Sequence, residues 1–303
     1  MATQKLPANL IIGTDLEGDA DHAVHAGLSL AQRFGSEVEV VHAVDFPPAV
    51  WMSIDAATLA SIQGEAVAAA AERVRARLRE VEERLGLGTG AVAEHLQVLP
   101  GTAAQVLIQR AAERAADLLV LGAHHRHGLF DFGSTARAVL SHAPCPVWVQ
   151  PGEVEPIRRI LAPVDLSEPS LDALAMACRL AAELEAEVEA LFCYPPAGQH
   201  YTAGAQVELG WPGYSVERLR DDVRAEFERV LDQFDWGGVS HTSTFVEGHP
   251  PDRIREREAE CDLVVMGTHG RTGLARFLLG SVAYAVLKHA RKPVLALRDA
   301  GGE

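Results

Sequence analysis

Asp262-Leu263-Val264-Val265-Met266-Gly267-Thr268-His269-Gly270 runs from an apolar segment into two glycines, and after nine further residues comes Gly280-Ser281. The apolar run predicts a buried strand, and the amphipathic stretch opening at Ser281 predicts a helix. Glycines let a backbone approach a ligand closely, and a helix start aims unpaired N–H groups and a positive dipole end at an anion. Strand, glycine loop and helix start together have the form of a phosphate cradle.

The chain carries this pattern twice. Asp117-Leu-Leu-Val-Leu-Gly122 matches Asp262-Leu-Val-Val-Met-Gly267, and Leu10-Ile-Ile-Gly-Thr-Asp15 matches Ile160-Leu-Ala-Pro-Val-Asp165. Gly133-Ser134 followed by Ala143-Pro-Cys-Pro-Val-Trp-Val149 matches Gly280-Ser281 followed by Ala290-Arg-Lys-Pro-Val-Leu-Ala296. Matched landmarks in the same order predict two copies of one domain, at 1–151 and 152–303, each large enough to close its own core.

Composition fits this reading. With 303 residues, 48% apolar and 23% charged, the chain is an ordinary globular sequence of two domains. A formal charge of −15 argues against a sequence-independent nucleic-acid binder, which needs a basic stripe to displace counterions. No apolar run reaches a membrane span, and Met1-Ala-Thr-Gln-Lys5 lacks an apolar signal region, so the cytosol is expected. Cys145, Cys178, Cys193 and Cys261 form no Cys-x-x-Cys pair and read as buried or half-buried thiols.

Each copy alternates short apolar runs with longer amphipathic stretches. Copy one predicts strands at 9–14, 37–42, 92–98, 117–122 and 146–150, with helices at 18–34, 54–85, 102–115 and 134–142. Copy two predicts strands at 159–164, 187–193, 241–246, 262–267 and 293–298, with helices at 168–184, 215–234, 250–259 and 281–290. Leu171, Leu174, Ala175, Cys178, Ala181 and Ala182 share one helix face, with Ser167 at the N-cap and Pro169 in the first turn. Such alternation predicts α/β architecture: doubly wound domains, each with a parallel five-stranded sheet covered by helices on both faces. Ligands of these sheets bind beyond the carboxyl ends of the strands, where Asp165 and Gly267 both fall. Segments 45–55 and 195–214, with Trp51, Tyr201, Trp211 and Tyr214, read as loops or as a lid over that edge.

These residues resemble the universal stress protein family in its tandem-domain form, over nearly the whole chain. The strand-end aspartates, the Asp-Leu-(Leu/Val)-Val-(Leu/Met)-Gly strand and the closing helix followed by Pro-Val carry the resemblance. Copy two satisfies in full the family's ATP-binding pattern of Gly, two residues, Gly, nine residues and Gly-Ser. The resemblance implies an adenine nucleotide alpha hydrolase-like fold binding ATP, with AMP or ADP as alternatives. It places Pro163, Val164 and Asp165 by the adenine and ribose, Cys193 by the adenine edge, and Met266 and Gly267 along the ribose. It places His269, Gly270, Gly280, Ser281 and Val282 at the phosphates, mostly through backbone N–H groups, with Mg2+ accompanying the nucleotide. It also implies that Val147-Trp-Val149 and Val294-Leu-Ala296 pair antiparallel, making the chain an intrachain pseudo-dimer; a homodimer and an unknown protein partner are compatible with it. The function implied is a nucleotide-dependent stress-response regulator. The alternatives are a slow ATPase or phosphotransferase using Asp165, and a scaffold whose glycines merely shape a loop.

Copy one departs from the pattern. His125 stands where the second glycine belongs, and only seven residues separate it from Gly133-Ser134. Weak or absent ATP binding is expected there, although Asp15, Gly122, Gly133 and Ser134 survive as a degenerate site open to a smaller anion or AMP. Asp15 reads as a cap of the following turn. His124, His125 and His127 read as loop histidines, because no cysteine or carboxylate completes a metal set. Arg271 and Arg276 either clamp a triphosphate or are solvated. Gly86-Leu-Gly-Thr-Gly90 follows a helix and reads as a turn, not a dinucleotide fingerprint. The chain has no Gly-Lys-Ser/Thr sequence, no Gly-x-Ser-x-Gly elbow and no kinase signature set.

Overall fold

The computed structural model describes residues 6–15, 18–46, 55–86, 92–123, 133–195, 216–269 and 279–298. The His124–His127 cluster, Gly270, Arg271 and Arg276 lie outside the described residues, as do most of the two loop segments with their aromatic side chains. The described residues divide into two units. The first holds the chain up to Glu155 and the final strand from Pro293; the second is built from elements lying between Pro156 and Lys292.

In the first unit the strands are β1 (Asn9–Gly13), β2 (Glu37–Val44), β3 (Leu96–Pro100), β4 (Leu118–Gly122) and β5 (Val147–Gln150), joined by β10 (Val294–Leu297). Their order is β3-β2-β1-β4-β5-β10. The pairs from β3 to β5 are parallel. β10 is antiparallel to β5, with Val294 opposite Val149, Leu295 opposite Trp148 and Ala296 opposite Val147. The helices are α1 (Gly18–Phe34), α2 (Ala56–Leu85), α3 (Ala103–Glu113) and α4 (Ser134–His142).

The second unit orders its strands β9-β6-β7-β8, all parallel: β6 (Arg159–Val164), β7 (Glu187–Tyr194), β8 (His241–Glu247) and β9 (Leu263–Gly267). Its helices are α5 (Glu168–Leu184), α6 (Val216–Asp232), α7 (Pro250–Glu258) and α8 (Ser281–Lys288). The architecture is therefore α/β and almost wholly parallel. Each copy of the repeat contributes the expected five strands, β1 to β5 and β6 to β10, and β10 falls in the first unit through its pairing with β5.

Residue chemistry explains the arrangement. Leu118 to Leu121 and Leu263 to Met266 are all buried, as continuous apolar strands covered on both faces must be. Leu174, Ala177, Leu180 and Ala181 on α5 are buried, and this helix packs on β6 and β9. Phe192, Phe227 and Phe245 form an aromatic cluster fastening α6 to β7 and β8, with ring centroids 5.3 to 6.1 Å apart. The aspartate opening each repeated strand is a tie. Asp117 Oδ2 accepts the N–H groups of Ala8 and Asn9 at 2.9 Å, and Asp262 Oδ2 accepts those of Arg158 and Arg159 at 2.8 and 3.0 Å. Each therefore holds the entry of the neighbouring strand, β1 or β6.

Two local expectations change, and the turn expected at Gly86 holds. β3 begins at Leu96, not 92, because Ala93–His95 form a single 3-10 turn. Gly86 ends α2 in the left-handed region at φ 64°, a helix C-cap. Ser167 takes the N-cap position of α5, but its hydroxyl makes no cap hydrogen bond. No helix among the described residues is long and apolar enough to cross a membrane.

Candidate functional site

β6 is the first strand of the second unit, and the chain moves to β7 on one side of it and returns to β9 on the other. Reversal of strand order opens a crevice at the carboxyl ends of β6 and β9. A cavity of about 380 Å³ lies there.

β6 ends in Pro163, Val164 and Asp165, which form one wall. β7 contributes Leu191, Phe192 and Cys193, followed by Pro195. β9 contributes Met266 and Gly267, then Thr268 and His269. Gly280, Ser281, Val282 and Ala283 close the far side at the start of α8. The candidate residues of copy two that fall within the described residues thus border one space. Gly270, with Arg271 and Arg276, lies outside the described residues.

Sequence reading missed several lining residues: Ser170 in the first turn of α5, Leu191 and Phe192 on β7, and Pro250 and Ile254 on α7. Pro250 and Ile254 share a face at i and i+4, and α7 packs on β7. The helical spacing was visible; the fact that this face looks into the cavity follows from the crossover connection. Thr268 was missed because it sits between two residues of the glycine pattern and carries no charge.

Asp165 holds its own loop. Its Oδ1 accepts the Ser167 N–H at 3.0 Å and the Ser167 hydroxyl at 2.5 Å, while its N–H donates to Ser170 Oγ at 3.2 Å. Ser170 Oγ in turn donates to the Ser167 carbonyl at 2.9 Å. Between them Leu166 is held at φ 64°, a left-handed conformation that a branched residue adopts only when its surroundings impose it. The Ser167 hydroxyl is thus spent on Asp165, which explains the missing helix cap.

Gly280 is also tied down. Its N–H donates to the Thr268 carbonyl at 2.8 Å, and a Cβ at this position would lie 2.8 Å from the same oxygen. The expectation that the Gly280 N–H faces a phosphate is therefore corrected. The glycine closes the base of the loop, and the open donors begin one residue later. Ser281, Val282 and Ala283 occupy the first turn of α8, where N–H groups have no intrahelical partner. Gly267 is tight as well: a Cβ there would lie 3.2 Å from the Pro169 carbonyl oxygen and 3.3 Å from that of His269.

Two side chains carry the remaining chemistry. Burial pushes the Cys193 thiol up to about 12, so it stays neutral near pH 7. His269 Nδ1 lies 3.0 Å from Thr268 Oγ1, while its Nε2 is buried with no hydrogen-bond partner among the described residues. An unsatisfied buried polar atom costs about 1–3 kcal/mol, which a ligand atom can recover. Among the described residues, no group of three or more His, Cys, Asp or Glu side chains is placed to hold a metal ion.

The first unit retains the landmarks, with close packing at the end of β1. Gly133 caps α4, which opens at Ser134, and Gly122 ends β4. Asp15 is half-buried just beyond β1. Gly13 aligns with Pro163, yet a Cβ on it would lie 2.7 Å from Leu121 Cδ2 and 3.1 Å from Leu107 Cδ1. Leu107 and Leu121 are buried against this strand end.

Comparison with known proteins agrees with this fold. A model of the Universal stress protein family matches residues 8–151 and again 156–298. Universal stress protein Rv2623 of Mycobacterium tuberculosis is 30% identical over 229 residues, which cover 73% of each chain. Universal stress protein MJ0531 of Methanocaldococcus jannaschii is 36% identical over 143 residues, 46% of this chain and 82% of the relative. In three dimensions the chain is similar to a universal stress protein from Archaeoglobus fulgidus, with a TM-score of 0.67 and 16% identity over 96% of this chain and 98% of the other. The chain belongs to the universal stress protein family and carries the family's domain twice.

Proposed function

We propose that the second unit binds an adenine nucleotide, ATP first among them, and that the chain is a nucleotide-dependent stress-response regulator with one such domain at 152–303. The cavity at the carboxyl ends of β6 and β9 carries this reading. Leu191, Phe192, Ile254 and Met266 supply apolar surface for a planar base. The first turn of α8 supplies backbone donors and a positive dipole end for phosphates. Asp165 is the one carboxylate among the described lining residues, so magnesium would be held chiefly by phosphate oxygens and water.

Mass analysis of the small molecule released from the purified chain, followed by equilibrium binding with magnesium present, tests this reading. An adenine nucleotide, with saturable binding, is expected. No affinity for ATP, ADP or AMP at millimolar concentration would leave a paired-domain scaffold. Turnover of bound ATP that falls with Asp165→Ala would mark an enzyme instead.

A further inference from the structure

β8 (His241–Glu247) ends the strand order of the second unit, with β7 along one of its edges. Among the described residues no strand pairs with the other edge. The Val188 N–H donates to the Ser240 carbonyl at 2.9 Å, and the Gly248 N–H donates to the Tyr194 carbonyl at 2.8 Å. In a parallel ladder alternate residues bond to one neighbour, so Ser240, Thr242, Thr244, Val246 and Gly248 face β7. The N–H and C=O groups of His241, Ser243, Phe245 and Glu247 therefore point away from it. Native sheets usually blunt such an edge. β3, at the end of the first unit's strand order, is blunted: it has five residues, its outward Pro100 carries no N–H, and α2 packs on it. β8 has seven residues and no proline, and its one carboxylate, Glu247, is held by Arg220 at 3.0 Å.

We propose that the free edge of β8 pairs antiparallel with β8 of a second copy of this chain, about a two-fold axis at Thr244. The strand is complementary to itself in this register. With Thr244 opposite Thr244, Ser243 stands opposite Phe245 and His241 opposite Glu247. Every outward residue then meets an outward residue, and each such pair exchanges both of its backbone hydrogen bonds. Thr242 meets Val246 in the intervening pairs, so β-branched residues face each other along that side. Glu247 meets His241 and never its own copy, which leaves no like charges opposed. A slip of one residue would set outward groups against those already bonded to β7 and lose the ladder. A single strand edge is smaller than the roughly 1,200 Å² of a stable interface, so the association is reversible and concentration-dependent. It needs no nucleotide and stands apart from the cavity at β6 and β9.

Sedimentation velocity on the full chain without nucleotide tests this, in about 0.5 M salt because a formal charge of −15 repels a second copy. The wild type should shift from monomer to dimer as concentration rises. Ser243→Pro removes an outward N–H and none bonded to β7, and should raise the dimer Kd at least about tenfold. Thr244→Lys sets two ammonium groups against each other at the axis and should raise it about fivefold or more. Far-UV circular dichroism checks that each variant is folded, and Thr244→Lys decides alone if Ser243→Pro is not. A dimer indifferent to the folded variants lies on another surface and overturns the proposal. A monomer at every concentration also overturns it and leaves the edge to an extended segment of another protein. Cysteine cross-linking reads the register. At the axis the two Cα atoms lie about 4.5 Å apart, within disulfide reach, so oxidised glutathione should link Thr244→Cys into a covalent dimer. Ser243→Cys and the wild type should stay unlinked. Failure of Thr244→Cys to link in a dimeric sample overturns the pairing about Thr244.

Discussion

Gly280 and Asp262 show how two residues singled out by the same sequence pattern do different work. A β-branched side chain at Gly280 would place Cβ 2.8 Å from the Thr268 carbonyl and displace the start of α8. Gly280→Val should therefore raise the nucleotide Kd by at least about tenfold, which is 1.4 kcal/mol, with little change in far-UV circular dichroism. Unchanged affinity would refute the placement of the phosphates at α8. Asp262 lies at the other end of β9 and only ties strands, through the N–H groups of Arg158 and Arg159. Asp262→Ala should cost about 1–3 kcal/mol in urea unfolding, because two backbone donors lose their acceptor. Its nucleotide affinity, measured well below the unfolding midpoint, should be unchanged; a matching loss of affinity would mean that β9 moves as a unit. The glycine's importance was legible in the sequence. That its N–H serves the Thr268 carbonyl was not, since that bond joins residues across a loop whose path the sequence does not set.

Elements whose ends are marked by local chemistry were the readable ones. α1, α4 and α5 fall where the periodicity puts them, at Gly18–Phe34, Ser134–His142 and Glu168–Leu184. β3 was placed four residues early because Val92 and Ala93 extend the apolar segment at its start, while the backbone of Ala93–His95 makes a 3-10 turn. Cavity walls were the least readable part, since Pro250 and Ile254 reach the site only through the packing of α7 on β7. The same non-local logic governs α6, a highly polar helix that buries Leu231 and the aromatic ring of Phe227. That ring is almost fully buried and lies 5.5 Å from Phe192 and 6.1 Å from Phe245. Phe227→Ala should destabilise the second unit by about 3–5 kcal/mol. Differential hydrogen exchange is the sharper measurement: α6 and β8 should lose protection before α1 and β1 do. Uniform loss across both units would show that they unfold as one.

At the scale of the whole molecule, the two copies share a topology and differ in what lies at the carboxyl ends of their central strands. In the second unit, Pro163, Met266 and Ile254 border open space. In the first, Leu107 and Leu121 press against Gly13, which has no Cβ to keep them off. Loss of the second loop glycine at His125 was the sequence sign of this difference; the leucine filling was not visible, because Gly13 looks as permissive in sequence as any other strand-end glycine. With histidine in place of the second glycine and a loop two residues shorter, the first copy lacks the full phosphate-binding pattern. The chain should therefore take up one nucleotide, not two. Titration calorimetry should give one equivalent per chain, weakened by Gly280→Val as above, and the matching change Gly133→Val should leave both stoichiometry and affinity as they were. Two equivalents of equal affinity would overturn this asymmetry. The retained Asp15 and Gly133-Ser134 would then be a working site and no remnant.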